Sequence, residues 1–238
     1  MNTCVRSFIT AGAALLLCFF ATTVRADVLY VSASFTQDLI ERFTSSGVRS
    51  NFATSSSGLN VPERLAFDSA DNLYMINATD NADTATIKKF TPDGVGSIFI
   101  SIGLLSPNDL AFDGAGNLYV SNDDNRIEKY TSDGAGSIFA DYSDGLRGPL
   151  GLALDTAGNL YAANFNSSIV KITPDGVGSN FGNTRPSTPL FLAFTDDAGV
   201  PLPLANQRPS PSLRPARPRP RRRALPGLSR PRRRAVCA

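Results

Sequence analysis

Histidine and tryptophan are absent from the 238 residues, and cysteine occurs only three times. Without histidine there is no Ser–His or Cys–His nucleophile pair and no imidazole ligand for a metal. Cys4 and Cys18 lie in the first 26 residues and Cys237 stands beside the C-terminus. The chain between them holds no thiol, so its fold rests on packing and strand pairing rather than on a disulfide. Acidic side chains are missing from both ends: the stretch from Arg208 carries eleven arginines and no acid, and the first 26 residues carry Arg6 and Arg25 alone. The formal charge of +2 is therefore a sum of opposite objects, since residues 27–207 hold ten basic and 21 acidic side chains, a net −11. An acidic body repels nucleic acid and anionic lipid, so no nucleic-acid partner is expected for the folded part. Sustained helical periodicity is also missing after the leader, which directs the reading toward strands.

Three segments follow. Residues 1–26 read as a secretory signal: Arg6 gives the positive end, residues 8–24 are nearly all apolar or small, and Val24-Arg25-Ala26 fits a cleavage site before Asp27. The other reading is an uncleaved anchor, for which the apolar run is short of the ~20 residues of a span. A lipid anchor through Cys18 is disfavoured because Leu17 before it is not small. Residues 27–197 are the globular candidate, long enough for a substantial core. Residues 198–238 are dominated by Pro and Arg, show no strand or helix pattern, and are expected to be disordered. No membrane span is expected in the mature chain, which reads as a monomer.

The globular part repeats. Leu-Tyr recurs at Leu29-Tyr30, Leu73-Tyr74, Leu118-Tyr119 and Leu160-Tyr161, at spacings of 44, 45 and 42 residues. An apolar-Ala-apolar landmark recurs as Leu65-Ala66-Phe67, Leu110-Ala111-Phe112, Leu152-Ala153-Leu154 and Leu192-Ala193-Phe194. The turn Pro92-Asp93-Gly94 has echoes at residues 132–137 and 174–179. A period in the forties, with four short strands per copy bounded by Gly, Asn and Asp, predicts a β-propeller. In the central copy the strands are predicted at 109–113, 118–122, 126–131 and 137–140. The first copy begins at its second strand (28–32, then 40–44 and 49–53). The expected fold is therefore all-β, four blades of four strands, with a lone strand at 191–195 closing the first blade and removing its open edge. An open array of blades is the alternative. Asp68, Asp113 and Asp155 stand where a carboxylate accepts backbone N–H groups of the first turn.

The central copy, with Gly116-Asn117-Leu118-Tyr119-Val120, Asn125-Arg126-Ile127 and Tyr130, resembles the NHL repeat; Thr86 and Ser168 stand where Arg126 would recur. Ser106-Pro107-Asn108-Asp109-Leu110 resembles an inner-strand segment of the gluconolactonase and regucalcin family, propellers that bind one divalent metal with acid and amide groups in the central channel. That resemblance implies Glu63 and Asn108 as metal ligands, calcium or zinc as the ion, and a metal-dependent lactonase as an alternative function. Leu150 and Leu190 at the matching positions cannot be ligands, and a hard cation needs about six oxygens. Asn108 and Asp109 equally read as caps of the loop entering a strand. Asn77, Asn122 and Asn164 end the second strand of three copies. They form either an amide ring at the channel mouth or strand stops that bond their own turns. The acidic run Asn122-Asp123-Asp124-Asn125 lacks the glycine and distal glutamate of the helix–loop–helix calcium motif and reads as a solvated loop.

The leading expectation is a non-enzymatic binding scaffold, without cofactor, whose ligand is a protein or a carbohydrate bound at Asn77, Asn108, Asp109, Asn122 and Asn164. The tail from Pro209-Ser210-Pro211 to the clusters at 221–223 and 232–234 resembles a degenerate PEP-CTERM sorting signal of secreted bacterial proteins, without its apolar helix. A sorting signal read out of frame is the hypothesis for this tail, decided by resequencing the 3′ end of the gene, and the resemblance implies a secreted or envelope-bound bacterial protein. A basic arm for polyanions is the other reading of the tail.

Overall fold

The computed structural model describes residues 27–34, 37–78, 85–101 and 104–194. The signal segment, Thr195 and the 198–238 tail lie outside the described residues, so the expectations placed on them are not addressed by the fold. Among the described residues, fifteen strands form four successive antiparallel sheets. The first holds β1 (Val28–Ala33), β2 (Leu39–Thr44) and β3 (Arg49–Thr54). The second holds β4 (Pro62–Phe67), β5 (Leu73–Asn77), β6 (Thr86–Phe90) and β7 (Gly96–Ile100). The third holds β8 (Pro107–Phe112), β9 (Leu118–Asn122), β10 (Arg126–Tyr130) and β11 (Gly136–Ala140). The fourth holds β12 (Pro149–Leu154), β13 (Leu160–Asn164), β14 (Ser168–Ile172) and β15 (Gly178–Asn183). Each sheet is a meander in chain order, and the innermost strands adjoin: β4 lies against β8 and β8 against β12.

The hairpin joining the first two strands of a full blade is fixed by one carboxylate. Asp113 accepts the backbone N–H groups of Ala115 and Asn117, each at 2.9 Å, the Asn117 side-chain amide at 2.7 Å and the Tyr119 hydroxyl at 3.3 Å. Asp68 and Asp155 repeat the same four bonds in their blades. Such turns pin strand register, because the carboxylate meets donors that the tight turn would otherwise leave bare. Gly116 at φ 88° allows the third residue of this turn its left-handed backbone.

The blades adhere through the same tyrosine. Tyr74 meets Phe99 of its own outer strand and Phe112 of the next blade edge-on, with ring centroids 5.0 and 4.8 Å apart. Tyr30 does the same with Phe52 and Phe67 at 5.0 and 5.1 Å. Edge-to-face pairs add ~0.5–1.5 kcal/mol beyond the area they bury. Around them β5, β9 and β13 are buried along their whole length. That explains their continuous apolar runs: both faces of a blade pack on neighbours.

The expected sixteenth strand is not formed by residues 191–194, which pair with no strand, so the first sheet has three strands where four were expected. The segment nonetheless reaches the slot a first-blade inner strand would fill. Phe194 meets Tyr161 edge-on at 4.9 Å, as Phe112 meets Tyr74, and the Phe191 ring lies 4.7 Å from the Arg64 guanidinium carbon of β4. The physical reason for the missing ladder is local. In the other blades a short turn clamped by an aspartate joins the inner strand to the second. Here the inner segment arrives from the far end of the chain, with Thr195 at the aspartate's place and Val28 at the asparagine's. Its ordering cost has no turn to offset it.

Candidate mouth cleft and axial cavity

Two cavities adjoin the inner strands of blades three and four. The larger, about 630 Å³, opens between them and is lined by Asn108, Asp123, Arg147, Leu150, Phe165 and Asn166, with Asn125 and Gly148 completing its wall. The smaller, about 70 Å³, is lined by Arg64, Asn108, Asp109, Gly151 and Phe191. Asn108 and Leu150 border both.

The cleft wall is built by a clasp between blades. Gly148 takes φ 60°, and its N–H donates to Asn125 Oδ1 at 2.7 Å. The equivalent Val61 takes φ 49° and donates to Asp38 Oδ1 of the preceding blade at 2.9 Å. A β-branched residue held left-handed is strained. Arg147, next to Gly148, sets its guanidinium carbon over the Tyr142 ring, 3.3 Å from its centre, and donates from Nη1 to the carbonyls of Tyr142 and Leu146 at 2.9 and 2.6 Å. Phe165 keeps 68% of its surface exposed at the cleft rim. An exposed ring beside amides, a carboxylate and a guanidinium can stack on an apolar face while polar edges choose orientation.

Asn108 and Asp109 both reach across to the backbone of β12. Asn108 Nδ2 donates to Asp123 Oδ1 at 2.7 Å and to the Pro149 carbonyl at 3.1 Å, and Asp109 Oδ2 accepts from Leu152 N at 2.8 Å. Ser121 Oγ joins them by donating to the Leu150 carbonyl at 2.8 Å. Burial pushes the Asp109 carboxyl above its ordinary value, against the opposing pull of its backbone hydrogen bonds and of the Arg64 charge. Glu63 is exposed and borders neither cavity; its carbonyl accepts from Ser32 Oγ at 2.6 Å, the same bond that Ser121 makes one pair of blades on. The structure therefore does not bring Glu63 and Asn108 together in either cavity.

Asn77, Asn122 and Asn164 are buried. Asn77 Oδ1 accepts from Asn60 N at 2.8 Å, and Asn164 Oδ1 accepts from Arg147 N at 3.1 Å while its amide donates to the Gly145 carbonyl at 3.0 Å. Each holds the loop entering its blade's inner strand. Asn122 Oδ1 is buried without a partner among the described residues. Of the five expected binding residues, Asn108 borders the cleft and the axial cavity and Asp109 the axial cavity alone, whereas the three strand-ending asparagines line neither. Sequence reasoning missed Arg147, Phe165 and Asn166. Phe165 follows the recurring asparagine in place of the Ala78 and Asp123 of the other blades, and that departure was the available signal. Asp123, read as part of a solvated loop, is the acceptor that orients Asn108.

No protein-family profile matches the chain, and no curated protein matches it in sequence. Solved structures match in shape. A calcium-binding protein, regucalcin, from Agrobacterium tumefaciens gives a TM-score of 0.55 at 14% identity, over 68% of this chain and 61% of that one. A gluconolactonase from Xanthomonas campestris gives 0.55 at 23% identity, over 68% and 60%. The fold is a β-propeller. Virginiamycin B lyase from Staphylococcus aureus gives 0.52 at 18% identity, over 71% and 60%. At such identities the propeller likeness is one of shape, since a fold hosts many chemistries. This propeller chain spans about three fifths of the length of these proteins.

Proposed function

We propose that the chain is an exported propeller that binds a polar ligand, a carbohydrate or a protein loop, in the mouth cleft between blades three and four. The observation that carries this reading is Phe165, left bare at the rim of a cleft whose other walls are Asn108, Asp123, Arg147 and Asn166. A sugar ring stacks its C–H face on an aromatic while its hydroxyls meet amide and carboxylate edges, and a protein loop uses the same surface through its backbone. The signal-like leader supports export and the sorting-type tail supports a bacterial envelope or secreted location; Asp27 as the first residue of the mature protein, read by N-terminal sequencing, checks the first of these. Retention on a polysaccharide and peptide panel tests the binding. Phe165→Ala is expected to weaken retention by about tenfold, the equivalent of ~1.4 kcal/mol, and undiminished retention overturns the placement of the site.

The gluconolactonase among the structural neighbours and the Ser106-Pro107-Asn108-Asp109 segment favour a second reading, a lactonase dependent on calcium or zinc. It requires gluconolactone hydrolysis that depends on the added ion and falls when Glu63 is changed to Gln; the position of Glu63 outside both cavities, away from Asn108, counts against it. The acidic body supports the absence of a nucleic-acid partner, and a monomer is proposed with it, against which the exposed Val28, Leu29 and Val31 on the unpaired edge of β1 weigh; sedimentation decides. Among the described residues no helix is long and apolar enough to cross a membrane.

A further inference from the structure

At the third position of each inner segment, the four chain passages nearest the axis carry Arg64, Asp109, Gly151 and Phe191. Arg64 belongs to β4 and is the cation of this set. Its Nε donates to the Asn108 carbonyl of β8 at 3.1 Å, and its guanidinium carbon lies 4.7 Å from the Phe191 ring centre. Guanidinium is the cation best suited to this setting, because it can donate in its plane and stack on an aromatic face with the same group. Gly151 has no side chain to intrude: a Cβ there would overlap the Leu190 carbonyl oxygen and the Phe191 backbone. Asp109 Oδ2 accepts from the Leu152 N–H, and the Asn108 amide nitrogen donates to Asp123 and to the Pro149 carbonyl, which fixes how both side chains are turned. Among the described residues no three acids or cysteines gather as a metal site requires.

We propose that Arg64 is the resident cation of this propeller's axis, standing where the family resemblance would put a divalent metal, and that the axial cavity takes no such ion. The donor set does not fit a hard cation: Asn108 and Asp109 are the two lining residues with side-chain oxygens, where about six oxygens are needed, and the Arg64 charge beside them repels a second cation. The cavity of about 70 Å³ holds a water or two beside the guanidinium. Arg64 also joins three pieces of chain, its own β4, the β8 carbonyl and the C-terminal segment through Phe191. The inference goes beyond the reading of the mouth cleft and does not depend on what that cleft binds.

Calorimetric titration of the purified full chain with calcium and with zinc, together with thermal melts in excess ion and in chelator, tests it without any variant. The expected result is a melting midpoint unchanged by either ion or by chelator. Binding that persists in Asn108→Ala and Asp109→Asn also supports the proposal, since such an ion sits away from the axis. Saturable one-to-one binding that raises the midpoint and is lost in Asn108→Ala overturns it. The charge itself is tested by Arg64→Met beside Arg64→Lys. Lysine is expected to recover at least half of the midpoint that methionine loses, and equal midpoints for the two variants overturn the role of the charge. Failure of carbohydrate or peptide binding bears on the mouth cleft and leaves these readouts untouched.

Discussion

β1 and its three counterparts β5, β9 and β13 share a sequence pattern and a place in their blades, yet they differ sharply in burial. Leu73, Leu118 and Leu160 are 1%, 0% and 0% exposed, whereas Leu29 is 63% exposed. Val28 and Val31 are exposed as well. Each buried strand is paired on both sides, by its inner strand and by the third strand of its blade. β1 has a ladder with β2 alone. Apolar side chains thus become core only when a partner strand covers them, and the pattern Val-Leu-Tyr-Val does not by itself say whether the partner arrives. The face of β1 toward blade two is well made, with Tyr30 between Phe52 and Phe67. The deficit lies along one edge.

The largest expected effect that sharpens this contrast is Leu118→Ala. Removing a fully buried leucine from the tight packing between blades is expected to cost about 3 kcal/mol by urea unfolding, within the usual 2–5. A loss below about 1 kcal/mol contradicts the packing described. Next is the turn that the first blade lacks. Asp113→Ala strips an acceptor from two backbone N–H groups, one amide and one hydroxyl, and is expected to cost about 2 kcal/mol. Asp155 offers the same test through pH. Burial raises its carboxyl, but the bonds from Asn159, Ala157 and Tyr161 together outweigh that and hold it below the ordinary carboxylate range. Its stabilising contribution is therefore complete above the unfolded-state value and is lost as pH falls through the lower folded value. Asp155→Asn should flatten the acid limb of a stability profile, and an unchanged limb refutes the assignment.

Smaller effects complete the comparison. Val61→Gly removes the cost of a β-branched residue at φ 49° and is expected to stabilise by about 1 kcal/mol, read as a raised urea midpoint. Leu29→Ala, on the bare edge, is expected to change stability by less than about 0.5 kcal/mol. Hydrogen exchange gives an independent reading: β1 amides should exchange faster than those of β5, β9 and β13. Equal protection, or a Leu29→Ala cost like that of Leu118→Ala, means that the segment around Phe194 covers β1 in solution.

Much of this fold was legible because its landmarks are chemical necessities repeated at one spacing. The aspartate ahead of each turn, the leucine–tyrosine pair after it and the glycine of the next turn place the seven strands given bounds, four in the third sheet and three in the first, to within two residues. The tyrosine's second duty is not part of that reading, although Phe52, Phe99, Phe139 and Phe181 recur once per blade beside the tyrosines they touch. The sixteenth strand was misread because its pattern, Leu192-Ala193-Phe194, reports a face suited to burial and says nothing of the turn needed to set its pairing. The site was less legible. Asn108 was found because a proline-linked segment marks the start of every inner strand. Arg147 and Phe165 stand in loops where the blades differ from one another, and periodicity is silent where copies diverge.

The tyrosine with its two flanking rings has a consequence for how such chains grow. Phe194 meets Tyr161 as Phe112 meets Tyr74 and Phe67 meets Tyr30, and Leu154 packs on the apolar cluster that holds Tyr119 between the last two blades. Three of the four junctions thus share one aromatic joint and the fourth an apolar variant of it, so a unit gained or lost by duplication or deletion of its gene segment brings its own fastening, and the number of units can drift without a new contact having to be invented.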